Sequence, residues 1–215
     1  MSADVDHVFV CVHDLRVAER TLADFGVYFG LRARHEGQGT ENACAFFDNA
    51  YLELLGWRDE RELQSPAVRP LALSERFQWR QTGASPFGVA LRVDAVTTSL
   101  NAWPYEAPFL PLGESIPILT ARSAAHEPLI FLITPELPRR EQVPGAHRGK
   151  QRRLTHVTVS GPGLYRVSAQ MEPLCNPALL TIRQASAHSL ELERDGGKFG
   201  ASHDFYPTLP LVLRW

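Results

Sequence analysis

One arrangement of strand and helix occurs twice in this chain. Val8, Val10 and Val12 alternate with His7, Phe9 and Cys11, which predicts a strand with one aliphatic face and one face carrying a histidine. A helix should follow at once. Asp14 is placed to cap it, Leu15, Ala18, Leu22 and Phe25 recur at spacings of three and four, and Gly26 stands where a left-handed terminal residue is wanted. Three short extended pieces come next, around 32–35, 43–47 and 51–55, with the stretch HEGQGTEN (35–42) as a loop and Asp48-Asn49 as a tight turn. The order is β-α-β-β-β. After a charged, proline-containing connector over 58–86, with a helix expected at 71–81 and an outside location, the pattern returns in FGVALRVDAVTTSLNAW (87–103). Placing Val8 on Val89 also superposes Val12 on Val93 and Leu15 on Val96, a repeat weak in identity but consistent in pattern.

The copies differ at their polar positions. In the first, the strand AYLELL puts Glu53 among apolar neighbours; in the second, PLIFLI puts Phe131 there, and Gly88 falls where the first has His7. A carboxylate in mid-strand has two readings. Glu53 faces water or bonds a neighbouring Tyr or Arg inside the core, or it is a metal ligand or acid/base group within a barrel of strands.

Composition narrows the choice of function. The chain has 215 residues, 44% of them hydrophobic, enough for one good-sized core or two small lobes sharing one. A net charge of -2 gives no reason to expect a nucleic-acid or membrane partner. The start, MSADVDHVFV, lacks a basic region followed by a long apolar run, so a cytoplasmic location is expected. Cys11, Cys44 and Cys175 form no CxxC pair, and the first two read as small core residues. No GxSxG or phosphate-binding glycine loop is present.

The repeated unit, DHVFV at its start, GQGTEN before a strand and YLELL at its end resemble the vicinal oxygen chelate superfamily, in particular its glyoxalase-like domain group. The resemblance implies an α+β fold in which tandem βαβββ units pair their sheets into an open mixed-sheet barrel. It also implies a divalent metal (Fe, Mn, Ni or Zn) held by His7 and Glu53, with Glu53 or His35 moving a proton on a small organic substrate. The activities implied are those of a metal-dependent lyase, isomerase or dioxygenase; the alternative is a metal-free binding protein for a drug or metabolite. The chain departs from the superfamily's four-ligand pattern, because Gly88 and Phe131 cannot coordinate a metal. Phe9, Tyr51 and Phe131 would wall the pocket, Gly88 and Ala90 would leave it room, and Arg92 would add a positive charge; His35, Thr40 and Asn42 would bond the ligand at the mouth, or Thr40 and Asn42 would serve only the turn. A homodimer is compatible with the superfamily.

A third segment echoes the first. LTHVTVSGPG from 154 and HSLELERDGG from 188 place His156 and Glu191 like His7 and Glu53, with a short helix-like stretch at 164–174 between them. Either these two complete the coordination, or the segment is a C-terminal βαββ extension in which they are structural; the second fits adjacent-unit pairing better. The expected division is a first unit at 1–57, the connector at 58–86, a second unit at 87–135, a basic linker at 136–153 and the partial unit at 154–215, all in one compact domain.

Overall fold

The computed structural model describes residues 3–94, 100–122, 124–135, 153–164 and 176–215. The first unit contains β1 (Ala3–Val12), α1 (Leu15–Asp24), β2 (Leu31–His35), β3 (Thr40–Phe46) and β4 (Tyr51–Trp57). The connector holds α2 (Glu60–Leu63), a 3-10 turn (Arg69–Leu71), α3 (Leu73–Phe77) and α4 (Trp79–Thr82). The second unit supplies β5 (Phe87–Val93), β6 (Trp103–Tyr105), β7 (Ile116–Ile118) and β8 (Leu129–Ile133). The helix expected after β5 lies largely outside the described residues. The last five strands are β9 (Leu154–Gly161), β10 (Leu180–Gln184), β11 (Ser189–Arg194), β12 (Ser202–Asp204) and β13 (Leu211–Arg214).

The first eight strands form one open mixed sheet in the order β2-β3-β4-β1-β5-β8-β7-β6, each half mirroring the other. Strand register bears out the repeat at residue level. His7 lies beside Tyr51 and Phe9 beside Glu53 in the parallel β1-β4 pair; Gly88 lies beside Leu129 and Ala90 beside Phe131 in the parallel β5-β8 pair. Where the halves meet, β1 runs antiparallel to β5 with Val8 opposite Val89. The two residues that the repeat equates therefore face each other, as a local two-fold axis through that pair requires. The fold is α+β and sheet-rich, the class expected from the sequence.

Alternation along β1 divides the core in two. Val8, Val10 and Val12 join Ala18 and Leu22 of α1, and further residues of β9, β11 and β13, in one buried cluster. Asp14 caps α1 by accepting the Val17 N–H, and Gly26 past its end has φ +89°. Phe9 and Cys11, on the other face, join Leu55, Ala90 and Phe131 in a second cluster. Burial pushes the Cys11 thiol up to about 12, with Arg76 pulling it down and Glu53 up, so it is an inert core residue.

The connector departs from expectation. Its helix is broken by Ala72 at φ 53° and by Gln78, and it covers the second cluster, into which Leu63, Val68, Leu71, Leu73 and Phe77 project. Five apolar side chains in a charged stretch are buried most effectively against the open end of the barrel, not on its outer surface. Arg76 anchors this cover. Its buried guanidinium donates to the carbonyls of Leu71, Ser85, Ala125, Glu127 and Ala124 at 2.7–3.4 Å, and burial lowers its pKa to about 10. The loop at 35–42 also proves shorter: β3 begins at Thr40, leaving a turn at 36–39. Gly39 adopts φ +77°, and a Cβ there would lie 2.3 Å from the Asp59 carbonyl, so connector and turn meet through a position only glycine fills.

The C-terminal strands form a separate sheet, β10-β9-β11-β13-β12, with two more strands than a βαββ extension. The expected helix at 164–174 lies almost wholly outside the described residues. Pro210 directly precedes β13, where its missing N–H costs no bond of the ladder. Asn49, in the β3-β4 turn, ties this sheet to the first: its side chain donates to the Leu154 carbonyl at 3.0 Å and accepts the Leu154 N–H at 2.9 Å.

Candidate active site

The inner face of the eight-stranded sheet and the connector line a cavity of about 320 Å³ that opens to solvent. Phe9, Leu55, Leu71, Leu73, Phe109, Ile118 and Phe131 supply apolar lining, while His7, Glu53, Asp6, Arg92, His35, Gln38 and Tyr105 form a polar pole. Of the expected residues, His7, Phe9, His35, Tyr51, Glu53, Arg92 and Phe131 all line it.

The pole is built around His7. Its ring stacks on Tyr51 (centroids 4.3 Å apart, 15° between planes) and meets the edge of Phe131. Its Nδ1 lies 2.8 Å from Asp6 Oδ1, and its Nε2 lies 3.6 Å from Glu53 Oε2. Asp6 reaches the cavity through a β-bulge. Between Val5 and His7 the β1-β5 register slips by one, so two successive residues, which strand alternation would send to opposite faces, both border the cavity. Strict period-two reading of the sequence missed Asp6 for this reason.

Arg92 is inward, as expected, but its charge is already engaged. Its Nε and Nη2 both lie 2.7 Å from Asp6 Oδ2, with the two side chains 12% and 6% exposed. Burial alone would raise the Asp6 pKa; the hydrogen bond and charge of His7, followed by Arg92, outweigh it and hold the carboxyl below its ordinary value. An ionised Asp6 only accepts, so the proton on this side of His7 sits on Nδ1, and Nε2 is the nitrogen presented to Glu53 and the cavity.

Thr40 and Asn42 correct the sequence reading: neither lines the cavity, because both are buried residues of β3 behind it. Asn42 Oδ1 accepts the Ala33 N–H, which fixes the amide so that Nδ2 donates to Glu53 Oε1 and points at His35 Nε2, 3.3 Å away. His35 Nε2 therefore accepts, and its Nδ1–H donates to Thr40 Oγ1 at 2.8 Å. Gln38 Nε2 donates to the same hydroxyl, and Tyr105 OH donates to Gln38 Oε1 at 2.7 Å. Both ring nitrogens of His35 are in contact within the wall, and its Nε2 meets Asn42, which in turn holds Glu53. Gln38, Tyr105, Leu71 and Leu73 carried no signal in the sequence; they enter only through the turn, the β6 strand and the connector.

The donor set does not fit a resident divalent metal. His7 Nε2 and Glu53 Oε2 converge, but among the described residues no group of three His, Cys, Asp or Glu side chains could hold an ion, and a catalytic zinc site ordinarily has three protein ligands. On the second half, the expected room at Gly88 is filled: a Cβ there would lie 2.0 Å from Phe9 Cε1. The Phe9 ring thus occupies the space a side chain at 88 would need, and Phe131 covers the position equivalent to Glu53. His156 and Glu191 do not complete the set. His156 bonds the Ala178 carbonyl and Thr181, Glu191 pairs with Arg214 at 2.6 Å, and β11 runs antiparallel to β9 where β4 runs parallel to β1.

Two halves of matching strand order share one sheet, with His7 and Glu53 on its inner face, the α+β arrangement of tandem units expected from the sequence. A family model described as a glyoxalase-like domain matches residues 5–175, and the chain belongs to that family. Similar solved structures include methylmalonyl-CoA epimerase from Mycobacterium tuberculosis, 21% identical over 63% of this chain and 89% of that chain, with a TM-score of 0.44. A hypothetical protein from Bacillus halodurans C-125 is 16% identical over 63% and 96%, with a TM-score of 0.44. A mutant of 4-hydroxymandelate synthase from Streptomyces coelicolor is 17% identical over 73% of this chain and 47% of that chain, with a TM-score of 0.45. No curated protein matches the chain. No helix among the described residues is long and apolar enough to cross a membrane.

Proposed function

We propose that this protein is an acid/base enzyme of the lyase or isomerase type, acting on a small carbonyl compound held in the barrel cavity. The observation that carries the reading is the approach of His7 Nε2 to Glu53 Oε2 at 3.6 Å, with the far side of His7 held by Asp6. That gap lies just beyond a direct hydrogen bond and borders an apolar chamber, a place where a reacting group can enter. Enolisation balances on these residues alone. Glu53 takes the proton from the carbon beside the carbonyl, the protonated Nε2 of His7 gives its proton to the carbonyl oxygen, and the reverse steps return both. Asp6 holds the His7 ring and stabilises its cationic form, and Asn42 fixes the Glu53 carboxylate. No step is routed through a metal.

The test is exchange of the proton beside the carbonyl in deuterium oxide, followed by NMR over a set of small ketones and thioesters. Exchange should appear with at least one compound and fall at least about 100-fold in His7→Ala and in Glu53→Gln. The mostly apolar lining favours a second reading, a sequestering protein with no chemistry. Tight binding without any exchange across the set would support that reading and refute the first.

A further inference from the structure

We infer that the cavity selects an uncharged, largely apolar molecule of about two rings bearing one carbonyl or hydroxyl group, and rejects carboxylates and phosphates. The inference rests on the proposed reading of this cavity as the substrate chamber and adds the class of substrate.

Charge carries the argument. Three charged side chains line the cavity: Asp6, Glu53 and Arg92. Arg92 directs two guanidinium nitrogens at one oxygen of Asp6, both at 2.7 Å, and a third at the Thr134 carbonyl at 3.4 Å, so its cation is compensated inside the wall. Glu53 is the second carboxylate in the lining, bonded by Asn42 and with His7 Nε2 3.6 Å away. The His35 ring is tied between Asn42 and Thr40, and burial pushes the Tyr105 hydroxyl well above its ordinary pKa, so that hydroxyl is uncharged. The sum over Asp6, Glu53, Arg92 and His7 is zero with His7 protonated and one negative charge otherwise. An anion entering here meets a carboxylate and no uncompensated cation, whereas a neutral oxygen can accept from His7 Nε2 or donate to Glu53 Oε2.

Size and lining complete the description. An apolar cavity of about 150 Å³ holds one benzene, so one of about 320 Å³ admits roughly two rings or an equal aliphatic body. Phe9, Phe109, Leu110, Ile116, Ile118 and Phe131 present the apolar surface that such a body would cover.

The full-length protein is titrated in a calorimeter with 2-naphthol and with 2-naphthoate at pH 7.5, matched two-ring probes that differ in charge. The expected result is binding of 2-naphthol at least about tenfold tighter than 2-naphthoate, or about 1.4 kcal/mol. Glu53→Gln should narrow that gap by strengthening 2-naphthoate. Asp6→Asn, which releases Arg92, should narrow it further; if that variant fails to fold, Glu53→Gln decides. Equal or tighter binding of 2-naphthoate by the unaltered protein, or no binding of either probe, overturns the inference. Because this measurement involves no chemistry, selective 2-naphthol binding by a protein that exchanges no protons refutes the proposed enzyme and leaves the ligand class standing. Proton exchange confined to anionic carbonyl compounds does the reverse.

Discussion

Asp6 governs the polar pole at the scale of single residues. One of its oxygens fixes the His7 ring and the other holds Arg92, so one carboxylate both sets which histidine nitrogen faces the cavity and cancels the cation nearest to it. Its folded pKa is lowered below 3.8, so its contribution to stability is complete above 3.8 and is lost as the pH falls through the folded value. Asp6→Asn should therefore cost on the order of 3 kcal/mol at pH 7, where it leaves a buried guanidinium without its carboxylate. The difference from wild type should hold at pH 5 and shrink as urea unfolding is repeated at pH 3 and below. A difference that stays constant over that range would show that the carboxylate's charge does not matter.

Among the elements, the connector shapes the chamber most unexpectedly. Leu71 and Leu73 line the cavity, and Arg76 binds the connector to the carbonyls that lead into β5 and β8, so the cover and the barrel strands are secured by one side chain. Arg76→Met removes five donated hydrogen bonds; with each buried acceptor left unpaired costing about 1–3 kcal/mol, a total loss of at least about 3 kcal/mol is expected after partial rehydration. Arg76→Lys should recover part of it. Stability of the Met variant within about 0.5 kcal/mol of wild type, measured by chemical unfolding, would mean that the carbonyls find other partners. The contrast between β1 and the connector shows what the sequence could convey. Alternation in β1 assigned Val8 and Val10 to one core and Phe9 to the other, because a strand's period is a local property. The bulge at Asp6, the fate of Thr40 and Asn42 behind the cavity, and the inward turn of Leu71 depend on what lies across the fold, and no local period encodes that.

At the scale of the whole molecule, the two halves keep one backbone plan and divide its chemistry. The first half retains the His7-Glu53 pair; the second has replaced it with Gly88, into whose space Phe9 extends, and with Phe131. That exchange was legible from the repeat, because the alignment carries the pairs of the first half, His7 with Tyr51 and Phe9 with Glu53, onto those of the second, Gly88 with Leu129 and Ala90 with Phe131. Its consequence is an asymmetric chamber: one wall carries His7 and Glu53, the groups proposed to move protons, and the other carries Ile118, Leu129 and Phe131. Metal-independent proton transfer is the property on which the proposed activity depends most directly. Exchange of the protons beside the carbonyl of 2-tetralone, a neutral two-ring ketone, can be followed by NMR before and after dialysis against a chelator. Exchange at the same rate in both samples and its loss in His7→Ala are expected; exchange that disappears on chelation and returns with a divalent cation, or no exchange in either sample, would contradict metal-independent transfer.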